Sequence, residues 1–267
     1  MCGIAGFTSP LFTNEHLQGI TQALKHRGPD AGGFFYDSVD NIGLGHRRLS
    51  ILDLSEAANQ PFYSQDRRYV MVYNGEVYNY KEVEKKYNIH SKTSSDSEII
   101  IEAFSKVGIQ CVNDFNGMFA IAIWDKEEKK LFLIRDRFGV KPIVYYKEGA
   151  NFAFASELKA LLKLPVEKNV NLNALQDYLF LEYVPNATTI LKNFHKLPAG
   201  HYMIVEKGEI TIKPYYNFIN KIKERPLSDR RENDWLDEFE DLLSSSVKYR
   251  QISDVPIGGF LSGGTVS

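Results

Sequence analysis

The sequence predicts a layered α+β domain in which helices cover the faces of largely antiparallel sheets. Many short runs of β-branched and aromatic residues are joined by tight turns, which is typical of antiparallel sheets. Amphipathic segments with helical spacing stand between groups of these runs, as expected when helices pack on sheet faces. The chain has no internal repeat and no low-complexity segment.

In the first half of the chain, strands and helices are predicted to alternate. Clusters of Gly and Pro predict loops, and Asn, Ser and Asp before apolar periodic segments predict helix starts. The predicted elements are a strand at Cys2–Thr8, a helix with Asn14 as N-cap and Leu17, Ile20 and Leu24 on its apolar side, a loop at 26–33, a strand at Tyr69–Tyr73, a short helix from Asn79, and a helix from Ser95-Asp96 to just before Gly108.

In the second half, strands dominate at first and a long helix follows. The charged, Pro-containing stretch 221–229 predicts a surface loop or linker, and 232–249 has the pattern of an amphipathic helix. The predicted elements are strands at Gly117–Trp124, Leu131–Arg135, Ile143–Tyr146 and Phe152–Ala155, a helix at Asn171–Glu182, a strand at His201–Val205, a helix at Glu232–Tyr249, and a strand at Val255–Leu261.

Composition restricts the classes of function. A hydrophobic content of 43% is enough for a buried core, and a net charge of −2 argues against nucleic-acid or anionic-membrane partners. Only two cysteines are present, too few for a disulfide framework. Because the chain shows no secretory signal and no apolar run of ~18–20 residues, we expect a reducing, cytoplasmic setting without membrane spans.

The second residue is a candidate nucleophile. If Met1 is removed, Cys2 carries both a thiol and the free α-amine, which together form a nucleophile and a base on one residue. The unperturbed α-amine pKa of about 7.7–8.0 allows it to accept a thiol proton near neutral pH. The alternative is that Cys2 is an ordinary small apolar residue, and that Cys111 is a buried thiol.

Other residues could serve the same chemistry. An Asn74 amide and the Gly75 backbone N–H would form a two-donor oxyanion hole, although Asn-Gly is also the strongest hairpin dipeptide. Arg48 could hold a carboxylate through two hydrogen bonds, and Glu76 and Asp96 could each pair with an ammonium group. Each of these residues could instead be a surface charge or, for Asp96, a helix-start carboxylate.

Ten sequence blocks together resemble one known family. They are Met1–Gly6, His26–Asp30, Arg48–Ile51, Asn74–Asn79, Ser95–Glu98, Asn116–Ala120, Arg135–Pro142, Ala155–Ala160, Leu197–His201 and Ser253–Gly258. In order and over essentially the whole chain, they resemble the class II glutamine amidotransferases, which are N-terminal-nucleophile glutaminases. The resemblance is strongest to the glutaminase half of asparagine synthetase.

The resemblance implies a fold and a set of roles. The fold is a four-layer αββα sandwich of antiparallel sheets, the N-terminal nucleophile hydrolase fold. Glutamine is the substrate, Cys2 attacks its side-chain amide, and Asn74 and Gly75 stabilise the oxyanion. Arg48 would bind the α-carboxylate, Glu76 and Asp96 the α-ammonium. Ile51 and Leu52 would line the side-chain pocket through backbone contacts.

The end of the chain resembles the start of a second domain. Leu261, Ser262, Gly263 and Gly264 match a Gly-rich loop that, in the family, opens an α/β ATP-pyrophosphatase domain using ATP and Mg²⁺. The family's next Asp is replaced in Thr265-Val266, so we expect only a truncated nucleotide-binding remnant and no synthetase activity from this chain alone. The expected division is a core at 1–162, the rest of the glutaminase domain at 163–220, and a linker, helix and truncated second domain at 221–267.

Three functions remain open from the sequence. The first is the glutaminase part of an asparagine synthetase, which amidates aspartate with ATP and needs a separate synthetase domain or subunit as partner. The second is an amidotransferase half for another carboxylate acceptor. The third is an inactive remnant that acts only as a binding module. For glutamine hydrolysis itself we expect neither a cofactor nor a metal, and the oligomeric state is not predicted.

Overall fold

The computed structural model describes residues 1–185, 187–224 and 230–259. The strands are β1 (Gly3–Thr8), β2 (Ala31–Asp37), β3 (Ile42–Arg48), β4 (Phe62–Tyr63), β5 (Tyr69–Val77), β6 (Gly117–Asp125), β7 (Lys130–Arg135), β8 (Val144–Glu148), β9 (Asn151–Ala155), β10 (Phe194–Lys196), β11 (His201–Glu206) and β12 (Glu209–Pro214). The helices are α1 (Asn14–Gln22), α2 (Tyr80–Lys86), α3 (Asp96–Val107), α4 (Leu158–Leu161), α5 (Leu172–Leu181), α6 (Phe218–Lys223) and α7 (Glu232–Tyr249), with 3₁₀ helices at Glu56–Ala58 and Gly108–Asp114.

The strands form two six-stranded sheets. One has the order β10-β8-β9-β1-β3-β2, and the other has the order β12-β11-β7-β6-β5-β4. Neighbouring strands pair antiparallel, with β1 at the centre of the first sheet between β3 and β9. In the second sheet β5 pairs with β6 along its whole length, from Tyr69 opposite Asp125 to Val77 opposite Gly117. Because β4 is short, it covers only Val70 and Met71 of β5 on the other side.

Alternating side chains arrange the two sheets and the helices in four layers. On β1, Ile4 points into the core between the sheets, while Ala5 and Phe7 pack with α1 and α4. On β5, Val70 and Val72 fill the same inter-sheet core, and the intervening residues pack against α2 and α3. This alternation is the period-two pattern of strands that are buried on both faces. The predicted α+β sandwich of antiparallel sheets is therefore confirmed.

Several predicted element bounds differ from the structure. The N-cap of α1 is Thr13 rather than Asn14, and the backbone N–H of Thr13 donates to His16 Nδ1 at 3.0 Å. The predicted loop 26–33 is shorter, because β2 begins at Ala31 and pairs with β3. The strand predicted to end at Tyr73 continues to Val77, since β6 supplies a hydrogen-bonding partner along that length.

The C-terminal part also departs from the prediction. Lys221–Lys223, predicted as loop, are the end of α6, and the apolar side of α7 is exposed, with Phe239 64% accessible. The prediction of a strand at 255–261 is wrong for residues 255–259, which form no strand. Here the backbone N–H of Val255 donates to the Ser253 hydroxyl at 3.1 Å in a local turn. Residues 260 and 261 of that prediction lie outside the described residues.

Candidate functional site

A cavity of about 130 Å³ lies where the start of β1, the end of β3 and the middle of β5 meet. This volume suits a molecule of amino-acid size and is smaller than the roughly 300–1,000 Å³ of most drug-sized sites. Every residue predicted to act on glutamine lines the cavity. The lining residues are Met1, Cys2, Arg48, Leu49, Ile51, Leu52, Ala58, Gln60, Tyr73, Asn74, Gly75, Glu76, Ser95, Asp96, Ser97, Met118 and Lys141.

Cys2 is held at the cavity by contacts on both its backbone and its thiol. The Arg27 side chain donates from Nε to the Cys2 carbonyl at 2.9 Å, and Arg27 is in turn paired with Glu157 at 2.8 Å. The backbone N–H of Leu49 lies 3.4 Å from Cys2 Sγ. Burial raises the pKa of the Cys2 thiol, and the Leu49 N–H opposes that shift. The thiol is thus fixed in position, and it needs a base to ionise near neutral pH.

The α-amine in this structure belongs to Met1, which precedes Cys2 and lines the same cavity. Partial burial lowers the pKa of this amine below its ordinary value of 8.0. Among the nearby charges, those of Cys2 and Asp30 oppose this lowering of the pKa, whereas those of Arg27 and Lys141 add to it. An amine in this environment is therefore more easily neutral, and able to accept a proton, than one in water.

Asn74 has a buried hydrogen-bond donor that faces the cavity. The residue is 1% exposed, and its Nδ2 has no acceptor within the described part of the chain. A buried amide N–H without a partner is costly, so the position points to a ligand oxygen that completes it. The sequence predicted the Asn74 amide as an oxyanion donor. The predicted strand ended before Asn74, whereas in the structure this residue lies within β5.

The backbone N–H of Gly75 lies on the edge of β5 that points away from β6. Strand amides alternate in direction, and the N–H groups of Tyr73 and Val77 point away from β6, to Gln60 Oε1 and Asp96 Oδ2. The Gly75 N–H lies between them on that edge, beside the cavity. A side chain is excluded at this position, because a Cβ on Gly75 would lie 2.2 Å from the Met118 carbonyl oxygen.

Two acidic side chains form the negatively charged side of the cavity. Asp96, in the first turn of α3, accepts hydrogen bonds from the Tyr73 hydroxyl at 2.7 Å and the Val77 N–H at 3.0 Å. Burial raises its pKa to about 6 despite these donors. Burial and the neighbouring Asp96 charge raise the pKa of Glu76 to about 7. The pair is suited to an ammonium group, which would restore full ionisation of both carboxylates.

Arg48 stands at the end of β3 and is 6% exposed. Its two Nη groups donate to a loop that follows it, at the Leu52 carbonyl (3.2 Å), the Asp53 carbonyl and the Ser55 carbonyl (2.8 Å), and also to Asn59 Oδ1 (2.8 Å). These four bonds engage both Nη groups, so the predicted grip on a carboxylate through two hydrogen bonds is not available in this arrangement. The guanidinium supplies positive charge to the cavity wall while it fixes the shape of the loop that contains Ile51 and Leu52.

Lys141 is a cavity residue that the sequence prediction did not assign to the site. It is 4% exposed, and its ammonium group lies within electrostatic reach of both Cys2 and Glu76. Burial, helped by the Arg27 charge, lowers the pKa of Lys141. The turn that carries it is fixed by Asp136, whose Oδ2 accepts the Lys141 N–H at 2.9 Å. The only sequence signal was its place in the Arg135–Pro142 block.

The predicted nucleotide-binding remnant, Leu261, Ser262, Gly263 and Gly264, lies outside the described residues. Within the described residues there is no cluster of His, Cys, Asp or Glu arranged to hold a metal ion. Of the helices in the same part of the chain, none has the length and apolar character required to cross a bilayer.

Comparison with known proteins identifies the family of this chain. Residues 1–216 match the family described as "Glutamine amidotransferase domain", and the chain belongs to that family. The B. subtilis glutamine phosphoribosylpyrophosphate amidotransferase, solved with ADP and GMP, is 15% identical and superposes with a TM-score of 0.58 over 80% of this chain and 49% of its own. At that identity the likeness concerns the fold alone, and it agrees with the predicted α+β sandwich of antiparallel sheets.

Sequence relatives cover nearly the whole chain. A putative glutamine-hydrolysing asparagine synthetase 2 of Methanocaldococcus jannaschii is 39% identical over 99% of this chain and 55% of its own length. The glutamine-hydrolysing asparagine synthetase 2 of Bacillus subtilis is 38% identical over 99% of this chain and 37% of its own length. The chain thus spans about half, or less, of the relatives it matches, and its amidotransferase domain resembles that of asparagine synthetases.

Proposed function

We propose that this domain hydrolyses glutamine to glutamate and ammonia, with Cys2 as the nucleophile after removal of Met1. One observation carries the proposal. The Cys2 thiol, the Gly75 edge of β5 and the Asn74 amide, whose Nδ2 has no acceptor among the described residues, line one cavity of amino-acid size. Nucleophile and oxyanion donors around one small site are the combination that acyl transfer requires.

The charges of the cavity support glutamine as the substrate. Glutamine carries an α-ammonium and an α-carboxylate, and the cavity offers carboxylates at Glu76 and Asp96 and a guanidinium at Arg48. We assign the ammonium to the acidic pair and the carboxylate to the positive charge of Arg48. Backbone groups of Ile51 and Leu52 would contact the substrate from the loop that Arg48 holds.

In the first half-reaction the α-amine of mature Cys2 removes the thiol proton, and the thiolate attacks the side-chain amide carbon of glutamine. The carbonyl oxygen becomes an oxyanion that accepts hydrogen bonds from Asn74 Nδ2 and the Gly75 N–H. The protonated α-amine then gives its proton to the leaving nitrogen, ammonia departs, and a glutamyl thioester remains. Lys141 adds positive charge near the sulfur of Cys2.

In the second half-reaction the same amine takes a proton from water, and the resulting hydroxide attacks the thioester carbon. The carbon–sulfur bond breaks, glutamate is released, and the proton returns to the thiol. The sum is glutamine plus water to glutamate plus ammonia. Each step uses groups of this chain, and none of them requires a cofactor.

We further propose that the ammonia serves the ATP-dependent amidation of aspartate, as the names of the relatives suggest. The relatives are longer than this chain, so a separate synthetase domain or subunit, with ATP and Mg²⁺, would provide the acceptor chemistry. Asparagine should form from aspartate, ATP and glutamine only when that partner is added. Amidation of a different carboxylate by the same partner would instead assign another acceptor.

The test of the hydrolytic step compares the two cysteines. Cys2→Ala should reduce glutamate release from glutamine to background. Cys111→Ala is the matched control, because Cys111 is buried in the core on α3 and β5 and does not line the cavity. Glutamate release that survives Cys2→Ala, or that depends on Cys111, would contradict the proposal.

A further inference from the structure

The segment that follows α7 contacts the loop between β3 and β4, although the two are about 200 positions apart in sequence. The Asp254 backbone N–H donates to the Ile51 carbonyl at 3.0 Å. In return, the Asp53 backbone N–H donates to Asp254 Oδ2 at 2.7 Å. These two bonds attach one residue of the segment to both sides of Leu52, which lines the cavity.

The same loop also accepts hydrogen bonds from Arg48. Arg48 donates to the carbonyls of Leu52, Asp53 and Ser55, so Asp53 bonds to both Asp254 and Arg48, and Leu52 lies between the two residues that Asp254 holds. The Asp53 side chain adds to this arrangement, because it accepts the N–H of Ser55 and the N–H of Ser94, both at 3.1 Å. The loop is thus fixed by hydrogen bonds and not by strand pairing or a large apolar core.

The segment itself has an anchor that does not involve the loop. At the end of α7 the Tyr249 hydroxyl donates to Glu82 Oε1, on α2. The Arg250 guanidinium lies over the Tyr78 ring, 5.0 Å from its centroid. Through Asp254 the loop is therefore connected to α2 and to Tyr78, which follows the end of β5.

We propose that Asp254 is a positioning residue for the glutamine site: it fixes the 51–55 loop, and through that loop the Arg48 guanidinium, in the orientation that receives the substrate. The assignment rests on the proposed function, since it requires glutamine to bind in the cavity that Arg48 and Leu52 line. Asp254 acts only through Arg48 and Leu52, because it does not itself line the cavity. Its loss should weaken glutamine binding and leave the chemical step intact.

The experiment uses Asp254→Ala in the full chain, with two readouts. The first is amide hydrogen exchange, in which peptides covering 50–59 should exchange faster while those covering β5 stay unchanged. The second is glutamine hydrolysis, in which KM should rise about ten-fold, the loss expected for one hydrogen bond to a charged acceptor, with kcat retained. Asp254→Asn keeps an oxygen acceptor and should show a smaller rise.

The matched control is Asp237→Ala, which removes an exposed carboxylate from α7 and should change neither readout. Unchanged exchange at 50–59 in Asp254→Ala would overturn the proposal, and so would faster exchange without a rise in KM. Faster exchange throughout β5 would also overturn it, because that result indicates general destabilisation. Absence of glutaminase activity in the wild-type chain would refute the proposed function instead, while the exchange result would still report whether Asp254 holds the loop.

Discussion

The Tyr73 hydroxyl donates to Asp96 Oδ2 at 2.7 Å, and this bond connects β5 to the first turn of α3 at the wall of the cavity. Both residues are almost fully buried. The hydroxyl stabilises the ionised form of Asp96, and so it opposes the effect of burial on the pKa of that carboxyl.

Tyr73→Phe should therefore raise the Asp96 pKa above about 6. A hydrogen bond to a charged group is worth about 1.5–3 kcal/mol, so the acidic limb of the KM profile should move up by about one pH unit or more. Tyr36→Phe is the control, since Tyr36 is a strand tyrosine away from the cavity. A KM profile that coincides with that of the wild type would refute this role of the hydroxyl.

The pH dependence of glutamine binding follows from the acidic pair. Glu76 and Asp96, with pKa values of about 7 and about 6, lose negative charge as the pH falls, whereas the glutamine ammonium stays protonated. We expect KM for glutamine to rise steadily from pH 8 to pH 5.5, as a coupled titration of both groups. Initial-rate kinetics across this range measure it, and Asp96→Asn should bind weakly at every pH. A constant KM in the wild type would contradict the assignment.

The oxyanion assignment predicts a defect in turnover rather than in binding. Asn74→Ala removes one of two donors, and kcat should fall by about 10²–10³ with a much smaller change in KM. Asn220→Ala, on the exposed α6, is the control and should keep the wild-type rate. If Asn74→Ala hydrolyses glutamine at full rate, Asn74 has no part in the mechanism.

Gly75 is predicted to be essential for packing as well as for chemistry. In Gly75→Ala the new Cβ would meet the Met118 carbonyl oxygen at 2.2 Å, so β5 and β6 must separate. The free energy of unfolding should fall by about 1–3 kcal/mol. Gly19→Ala, on α1 with nothing within 4 Å of the new Cβ, should raise it by about 0.5–1 kcal/mol. Denaturant titration compares the two, and equal stabilities would show that the strands accommodate a side chain.

Local pattern predicted much of the fold. The helix from Ser95-Asp96 to Gly108 was placed correctly, because its N-cap, its apolar stripe and its C-terminal glycine are all properties of neighbouring residues. Gly117–Trp124 was likewise recognised as a buried strand from its uninterrupted apolar run, and the structure adds only Asp125.

Long-range contacts account for what the sequence did not reveal. The sequence Asn74-Gly75 is typical of a turn. Pairing with β6, which is distant in sequence, makes both residues part of a strand. The Gly-rich β3 was missed, and there the close approach of Thr21 to Gly45 excludes a side chain. The place of Lys141 in the cavity, and the loop that holds Arg48, depend on residues distant in sequence. The predicted boundaries at 162 and 220 remain predictions.

The central claim is that the base belongs to the same residue as the nucleophile, which requires a free amino terminus on Cys2. The most direct measurement compares preparations that contain different fractions of chains without Met1, as determined by intact mass. Glutaminase activity should increase in proportion to that fraction and extrapolate to zero when every chain retains Met1. Equal activity in chains that keep Met1 would contradict the account.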